Sequence, residues 1–322
     1  MRQTILDFPK QFKIGLEVAK KVFPKKKQKF SNLIICGVGG SALPGDILLD
    51  AMPDFPLYTY IHRDYGLPPQ TDKQSLIIAI SYSGNTEETI SAYETAIAKN
   101  YSVVAITTGG QLQKMAQSHK LPLVFIPSTG IQPRCATGYL FAAILQILSN
   151  TGIIKSCSNK LLQMAKNLSP KTIKIQGQEL AKKLFNQIPI VYASNSFKSL
   201  ARIWKIKFNE NSKVLAFWNF FPELNHNEMV GLTNLKGKFH FLIMRDGADH
   251  IRNLKRMSLF ADLARAKGAL VDFIEIDGKD TLEKIFNNLL LGDWVSYYLA
   301  LAYKIDPEPV KIVEEFKKRL TE

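Results

Sequence analysis

Short, almost continuous apolar segments recur along the chain, each followed by a polar turn and a helical pattern. In the first half these segments are rich in Ile, Leu and Val and cover residues 32–37, 75–80, 102–107 and 121–126. Strands that are apolar on both faces are typical of parallel sheets covered by helices on both sides. We therefore expect an α/β fold with a doubly wound, mainly parallel sheet flanked by helices.

The same pattern begins again in the second half, at residues 189–194, 239–244 and 269–276. The tract between the halves, residues 151–170, is polar and contains Gly, Ser and Lys, as is typical of a connection between domains. Two doubly wound domains of similar topology are the economical interpretation, with bounds 1–152 and 153–322.

Composition and charge exclude several function classes. The 322 residues are 46% hydrophobic and 22% charged, which is ordinary for a globular protein. The net charge of +14 comes from scattered lysines, and the one dense cluster, at residues 25–29, has no nucleic-acid-binding motif beside it. We interpret the charge as a solvated surface whose positive field also favours phosphorylated metabolites, and expect no nucleic-acid partner.

Nothing in the sequence predicts a membrane anchor or a metal site. The N-terminal residues lack a long apolar segment, and no later stretch reaches the roughly 18 apolar residues that span a bilayer. Cys36, Cys135 and Cys157 are widely spaced and form no CxxC pair. We therefore expect a cytoplasmic protein with no membrane association, structural zinc or other metal.

Residues 76–90 read LIIAISYSGNTEETI, a strand-length segment that breaks into a hydroxyl-rich turn before a helical pattern. The first N–H groups of a helix lack intrahelical partners, and the helix dipole favours an anion there. Ordinary capping of the helix by a serine-rich loop is the alternative. The turn makes sugar-phosphate chemistry the first hypothesis.

Two other turns follow predicted strands. GVGGS, residues 37–41, lacks the third glycine and the later acidic residue of a dinucleotide fingerprint, so NAD binding is disfavoured. Its glycines permit close approach of a ligand to the backbone, and Ser41 supplies a hydroxyl. Arg134, in IQPR, is either a surface residue or salt-bridge partner, or a clamp for developing negative charge. We expect all these turns to converge beyond the carboxyl ends of the strands.

The segment 205–231 is the most unusual part of the sequence. It contains Glu210 between two asparagines and His226 between two more, among several aromatic residues. Partial desolvation raises the pKa of a carboxyl toward neutrality, and histidine titrates near it, so the pair is suited to acid/base chemistry. A capped helix and an ordinary turn histidine are the alternative interpretation.

Taken in order, the motifs GVGGS, SYSGNTEET, IQPR, NEN with PELNHNE, and the C-terminal FKKRL resemble the sugar isomerase (SIS-domain) proteins. Within them, the NEN and PELNHNE pair is far more specific to the bifunctional phosphoglucose/phosphomannose isomerases, whereas SYSGNTEET indicates only an SIS domain. The resemblance covers nearly the entire chain. It implies two SIS-type domains per chain, a homodimer, and isomerisation of aldose and ketose 6-phosphates without a metal or organic cofactor.

The resemblance also implies which residues bind the substrate. Ser81, Ser83 and Thr86 match the residues that hold the phosphate group. Gly40 and Ser41 match residues near the sugar.

Four further residues match the catalytic groups of the family. Glu210 corresponds to the base that carries a proton between C2 and C1, and Arg134 to the residue that stabilises the enediolate oxygen. His226 corresponds to a ring-opening histidine contributed by the partner subunit. Lys317 corresponds to a lysine in an L-K-x-R-L pattern, although Phe316 replaces the leucine and a second lysine follows.

Three alternatives stay open from the sequence. A single-specificity isomerase and an aminosugar-phosphate isomerase share the scaffold, although the latter often has an added ammonia-supplying domain that we do not expect here. A non-catalytic sugar-phosphate-binding SIS regulator normally carries a DNA-binding module, and the first 30 residues are too short and unpatterned for one.

Overall fold

The computed structural model describes residues 1–26 and 28–320. Lys27, in the predicted basic cluster, lies outside the described residues. The chain divides into two compact units, Leu6–Leu168 and Ser169–Glu322 with Met1–Ile5. The predicted bounds 1–152 and 153–322 remain a prediction about the domains.

The first unit contains a parallel sheet with strand order β2-β1-β3-β4-β5. Every residue of β3 and β4 is buried, as expected for β-branched strands covered on both faces. The strands are β1 Asn32–Cys36, β2 Tyr58–His62, β3 Ser75–Ile80, β4 Ser102–Thr107 and β5 Leu123–Phe125. The helices are α2 Lys10–Ala19, α3 Leu43–Ala51, α4 Glu87–Ala98, α5 Gly110–Ser118, α6 Thr137–Asn150 and α7 Ser158–Asn167, and α1 Arg2–Asp7 crosses the division after Ile5.

The second unit contains a parallel sheet with strand order β7-β6-β8-β9. A π-helical turn, Phe208–Ser212, directly extends α9, and two 3₁₀ turns, Glu223–His226 and Glu228–Asn234, follow β7. The strands are β6 Ile188–Ser194, β7 Phe217–Phe221, β8 Phe239–Arg245 and β9 Leu270–Glu275. The helices are α8 Pro170–Leu184, α9 Lys198–Lys207, α10 Ile251–Ala266, α11 Thr281–Ala302 and α12 Lys311–Leu320.

The predicted fold class of mainly parallel sheets flanked by helices is confirmed, with two strands added. Both β2 and β7 were missed because they are edge strands that expose aromatic residues instead of forming continuous buried apolar segments. The polar tract 151–170 also contains a helix, α7, whose Leu161 and Met164 are buried. With β2 and β7 included, the first strand of each unit lies between the second and the third, which is a doubly wound order.

In each unit a glycine allows two helices to pack closely. A Cβ atom at Gly15 of α2 would lie 2.4 Å from the Tyr139 carbonyl oxygen in α6. A Cβ atom at Gly177 of α8 would lie 2.5 Å from Cβ of Trp294 in α11. These contacts hold α6 and α11 close to their neighbours, and both helices contact the turns described next.

Candidate active site

The turn after β3 is held by hydrogen bonds between its own hydroxyls and backbone. The hydroxyl oxygens of Ser81 and Thr86 lie 2.8 Å apart, and the Thr86 N–H donates to the Ser81 hydroxyl at 3.3 Å. The Asn85 N–H donates to the Ser83 hydroxyl at 3.3 Å. Ser81 is buried and Ser83 is exposed. Ser81 therefore supports the turn from within, while Ser83 and the start of α4 face outward.

Gly84 lets this turn contact the segment that follows β4. Its φ is +75°, and a Cβ atom there would lie 1.8 Å from the Gly109 carbonyl oxygen. The Leu112 N–H donates to the Gly84 carbonyl at 2.9 Å, and the Gln111 N–H donates to Asn85 Oδ1 at 2.9 Å. Any side chain at this position would break the contact, so the fold requires a glycine here.

The turn after β1 contacts both of the other turns predicted to bind ligand. The Ser41 hydroxyl accepts a hydrogen bond from the Tyr82 N–H at 3.1 Å. A Cβ atom at Gly40 would lie 2.5 Å from the backbone nitrogen of Arg134. The structure thus brings Gly40, Ser41, the β3 turn and the Arg134 backbone together at one edge of the sheet. This is the edge at which ligands of open α/β sheets bind.

Arg134 lies in a short 3₁₀ turn, and only 1% of its surface is exposed. Gln11 of α2 fixes this turn: its Nε2 donates to the Cys135 carbonyl at 2.8 Å. Its Oε1 accepts from the Gly138 N–H at 3.0 Å and from the Tyr139 N–H at 3.3 Å. Arg134 is therefore an interior residue, and its alternative interpretation as a surface arginine is wrong.

Glu210 lies in the π-helical turn, which two buried side chains attach to α11. Asn211 Nδ2 donates to the Ser296 hydroxyl at 2.9 Å, and the Ser212 hydroxyl donates to the Ser296 carbonyl at 2.8 Å. Asn211 and Ser212 have no exposed surface. A π turn redirects the side chains that follow an α-helix and is frequent at functional sites.

A buried ion pair fixes the start of the π turn. Lys207 Nζ and Asp293 Oδ1 lie 2.6 Å apart, and their side chains are 1% and 4% exposed. Lys207 is the last residue of α9, and Asp293 lies in α11. Because buried charges are tolerated only when they are paired, this contact holds α9 and α11 in register just before Glu210.

Glu210 lines a cavity of about 580 Å³ in the second unit. Asn209 and Lys213 form part of its wall, and the segment 305–313 that leads into α12 forms the other side. Lys213 Nζ donates to the backbone carbonyls of Glu210 and Pro307, which joins the two sides. The half-buried Glu210 thus meets a space large enough for a small molecule.

His226 and Lys317 occupy exposed elements of the second unit. His226 ends the first 3₁₀ turn after β7, and Lys317 lies in α12, of which no described residue is buried. Neither is among the described residues that line the cavity at Glu210. Within one chain, the structure brings Glu210 to that cavity without His226 or Lys317.

Two supports of these turns were not predicted from the sequence. Gln11 lies on an otherwise apolar face of α2 with Phe12 and Leu16, and a polar residue on such a face is the one local signal. The partners Lys207 and Asp293 are far apart in the sequence, so no local pattern indicates their pairing.

The remaining predicted features concern metals, thiols and membranes. Among residues 1–26 and 28–320, no group of three or more His, Cys, Asp or Glu side chains is arranged to hold a metal ion. Burial raises the pKa of the Cys36 thiol to about 12. The same described residues include no helix with the length and apolarity that crossing a bilayer requires.

Proteins of known family resemble this chain in sequence over nearly its full length. Residues 173–320 match the family model of the bacterial phospho-glucose isomerase C-terminal SIS domain. The chain is 37% identical to the bifunctional phosphoglucose/phosphomannose isomerase of Caldicellulosiruptor bescii, with 100% of this chain and 99% of that protein covered. Identity is also 37% to the enzyme of the same name from Thermoplasma volcanium, over 97% of this chain and 95% of that protein.

A solved structure shares the fold at low sequence identity. Glucosamine-6-phosphate deaminase from Thermotoga maritima matches with a TM-score of 0.72 and 13% identity, with 95% of each chain covered. The sequence identities of 37% to the proteins of Caldicellulosiruptor bescii and Thermoplasma volcanium confirm the resemblance, and the chain belongs to the family of bifunctional phosphoglucose/phosphomannose isomerases.

Proposed function

We propose that this chain interconverts glucose 6-phosphate and mannose 6-phosphate with fructose 6-phosphate. The observation that carries the proposal is the π turn, which presents Glu210 to a cavity from a buried, rigid support. A base that removes a proton next to a carbonyl needs such a fixed position, because proton transfer depends on hydrogen-bonding distance.

The phosphate group binds at the turn after β3. The exposed hydroxyl of Ser83, the hydroxyls of Ser81 and Thr86, and the first N–H groups of α4 are donors for an anion. The α4 helix dipole adds a favourable field at the same position. Gly40 and Ser41 contact this turn and lie near the sugar.

Isomerisation then proceeds by proton transfer in the open-chain sugar. The carbonyl at C1 acidifies the C2 proton, Glu210 removes it, and a cis-enediol forms. Arg134 offsets the charge on the enediolate oxygen, and its burial strengthens that interaction. Return of the proton to C1, together with transfer of the O2 hydroxyl proton to O1, gives the ketose. No metal or organic cofactor takes part in this scheme.

One base serves both aldoses. C2 is planar in the enediol, so rotation about the C2–C3 bond before the proton returns exposes the opposite face of C2 to Glu210. The same intermediate therefore leads to glucose 6-phosphate or mannose 6-phosphate.

Ring opening precedes these steps and needs a proton donor at the ring oxygen. His226 takes this role, with Lys317 nearby, and His226 acts on the site of a second copy in a homodimer. That His226 is not among the described residues lining the Glu210 cavity supports its action across subunits.

Hybrid dimers test the contribution of a partner. Chains with Glu210→Gln and chains with His226→Ala should each keep only a small residual turnover, and mixing them should restore part of the activity. Subunit exchange is verified with a labelled chain. No recovery after verified exchange would place both residues in one site of one chain.

The reaction itself is tested on the full chain after chelator treatment. Fructose 6-phosphate is supplied, and glucose 6-phosphate and mannose 6-phosphate are measured separately. Formation of both products is the expected result. Glucose 6-phosphate alone would reduce the proposal to a single-specificity isomerase. If neither product forms, the result would favour an aminosugar phosphate as substrate or a binding-only role.

A further inference from the structure

The segment that carries His226 consists of the two 3₁₀ turns, residues 223–234. It is attached to the sheet of the second unit through the carboxylate of Glu228. The Tyr192 hydroxyl donates to Glu228 Oε1 at 2.5 Å, and Asn219 Nδ2 donates to Glu228 Oε2. Tyr192 belongs to β6 and Asn219 to the adjacent strand β7. One side chain two residues after His226 thus joins the segment to two neighbouring strands.

The Tyr192 donor has a fixed position and a stable protonation state. Its side chain is 1% exposed, and its ring packs against Phe221, Phe241 and Phe260 at centroid distances of 6.0, 5.6 and 5.3 Å. Burial, together with the nearby Glu228 carboxylate, raises the pKa of Tyr192. The hydroxyl therefore keeps its proton and donates it to the hydrogen bond.

The Asn219 donor is also oriented by its surroundings. Its Oδ1 accepts a hydrogen bond from the Phe220 N–H at 2.8 Å, which directs Nδ2 to Glu228. On the side of the segment, the Glu228 N–H donates to Asn227 Oδ1 at 2.5 Å. Both ends of the attachment are therefore ordered.

Apolar contacts hold part of this segment, and a cavity adjoins Glu228. Leu224 and Leu232 are buried and Met229 packs against the same core, while a cavity of about 300 Å³ lies beside them. Glu228 and Leu232 line it from the segment, and Tyr192 lines it from the sheet. The hydrogen bonds of Glu228 therefore add a polar attachment to the apolar contacts of this segment, on the side where the cavity lies.

We infer that Glu228 is a positioning residue for His226, with Tyr192 and Asn219 as its supports. The inference rests on the proposed function, in which His226 opens the sugar ring. Glu228 does not contact the reacting atoms; it sets where the imidazole lies relative to the partner copy. Small displacements of such a group lower turnover more than they change substrate binding.

Glu228→Gln is the direct test. The amide keeps the size of the side chain but has one acceptor oxygen in place of two, so Tyr192 and Asn219 can no longer each donate to an oxygen of their own. Turnover of glucose 6-phosphate should fall about tenfold while KM changes less than about twofold. The matched control is Glu223→Gln in the same segment, because Glu223 accepts from Asn227 at 2.8 Å and does not reach the sheet. It should change turnover less than about twofold.

A double mutant separates positioning from a general structural role. If Glu228 acts through His226, adding Glu228→Gln to His226→Ala should cause no further loss of turnover. Losses that multiply would overturn the inference while leaving the role of His226 intact. An unchanged turnover in His226→Ala alone would overturn the role of His226 and, with it, the inference. Should Glu228→Gln lower the melting temperature, Tyr192→Phe takes its place. It removes one hydroxyl, and its effect on turnover is measured with and without His226→Ala in the same way.

Discussion

The third strand of each unit is followed by a turn and a helix, yet the two turns differ in their chemistry. The β3 turn, residues 81–86, has hydroxyls and no charged side chain. The β8 turn contains Asp246 and Asp249, and Lys284 Nζ contacts both Asp246 oxygens at 2.8 Å. His250 Nδ1 accepts from the Arg252 N–H at 3.2 Å and so caps the helix that follows. The second turn meets its own hydrogen-bonding needs and would repel a phosphate.

The comparison teaches that the shared fold sets where a turn lies, and that the residues of the turn decide which ligand it can bind. The first unit forms the β3 turn, the proposed phosphate-binding turn, through close backbone contacts at Gly40 and Gly84. In the second unit, the proposed base Glu210 lies outside the β8 turn. It lies in a π turn that is held by a buried ion pair. Each variant below weakens one of these two kinds of support or tests the difference between the β3 and β8 turns.

Breaking the buried ion pair should have the largest effect on stability. Lys207→Met leaves Asp293 as a buried charge without its cation and should lower the free energy of unfolding by about 3 to 5 kcal/mol. Urea denaturation measures this. Lys182→Met is the control, because Lys182 pairs with Glu179 at 2.6 Å on an exposed helix and should cost less than about 1 kcal/mol. Equal losses of unfolding free energy in the two variants would contradict the role of the Lys207–Asp293 pair in holding α9 and α11 together.

Gly84→Ala should have the next largest effect. The new methyl group would overlap the Gly109 carbonyl, and the backbone has a positive φ, so we expect a loss of about 2 to 4 kcal/mol. Gly66→Ala is the control, since Gly66 has a φ of +65° but nothing within 4 Å of its Cβ position. It isolates the backbone term of about 1 kcal/mol. Equal losses would show that the contact with Gly109 contributes nothing.

Thr86→Val tests the difference in ligand between the two turns. The change keeps the side-chain shape and removes one hydroxyl donor, so the affinity for a sugar phosphate should fall about tenfold. Competition by inorganic phosphate, measured as an inhibition constant, separates phosphate binding from sugar binding. Asp249→Asn in the β8 turn should leave this constant unchanged. A shift caused by Asp249→Asn would place phosphate at the second turn.

The smallest effect concerns the pH dependence of the β8 turn. Burial raises the pKa of Asp249 above its ordinary value, against the opposing hydrogen bond from the Asp246 N–H. A raised pKa in the folded state contributes stability that is full below the unfolded value and is lost as pH rises through the folded one. The stability of the wild type relative to Asp249→Asn should therefore fall from pH 4 to pH 7. Urea midpoints at several pH values measure it, and a constant difference would contradict the burial of this carboxyl.

The fold could be read from the sequence wherever burial is continuous. β3 and β4 are apolar on both faces and were predicted within a residue, whereas β2 and β7 expose aromatic residues and gave no such signal. Strand pairing with β1 and β6 brings these edge strands into the sheets, and that is a tertiary effect.

The candidate site was predictable where its residues lie in one turn. The hydroxyls of the β3 turn and the glycine at position 40 are local features with a direct chemical meaning. The burial of Arg134 depends on Gln11, and the position of Glu210 depends on Asp293, each distant in sequence. The Glu228 attachment to Tyr192 has the same long-range origin, so sequence periodicity could not reveal it.

Exchange with solvent deuterium tests most directly whether one base makes both aldoses. Fructose 6-phosphate is converted in D₂O by the wild type and by Glu210→Gln, and deuterium at C2 of glucose 6-phosphate and of mannose 6-phosphate is followed. We predict label in both products from the wild type, and an equal loss of about 10²- to 10⁴-fold in both rates for Glu210→Gln. Unlabelled products would mean that Glu210 returns the same proton before it exchanges with solvent, whereas one aldose still formed at the wild-type rate by Glu210→Gln would contradict a shared enediol served by Glu210.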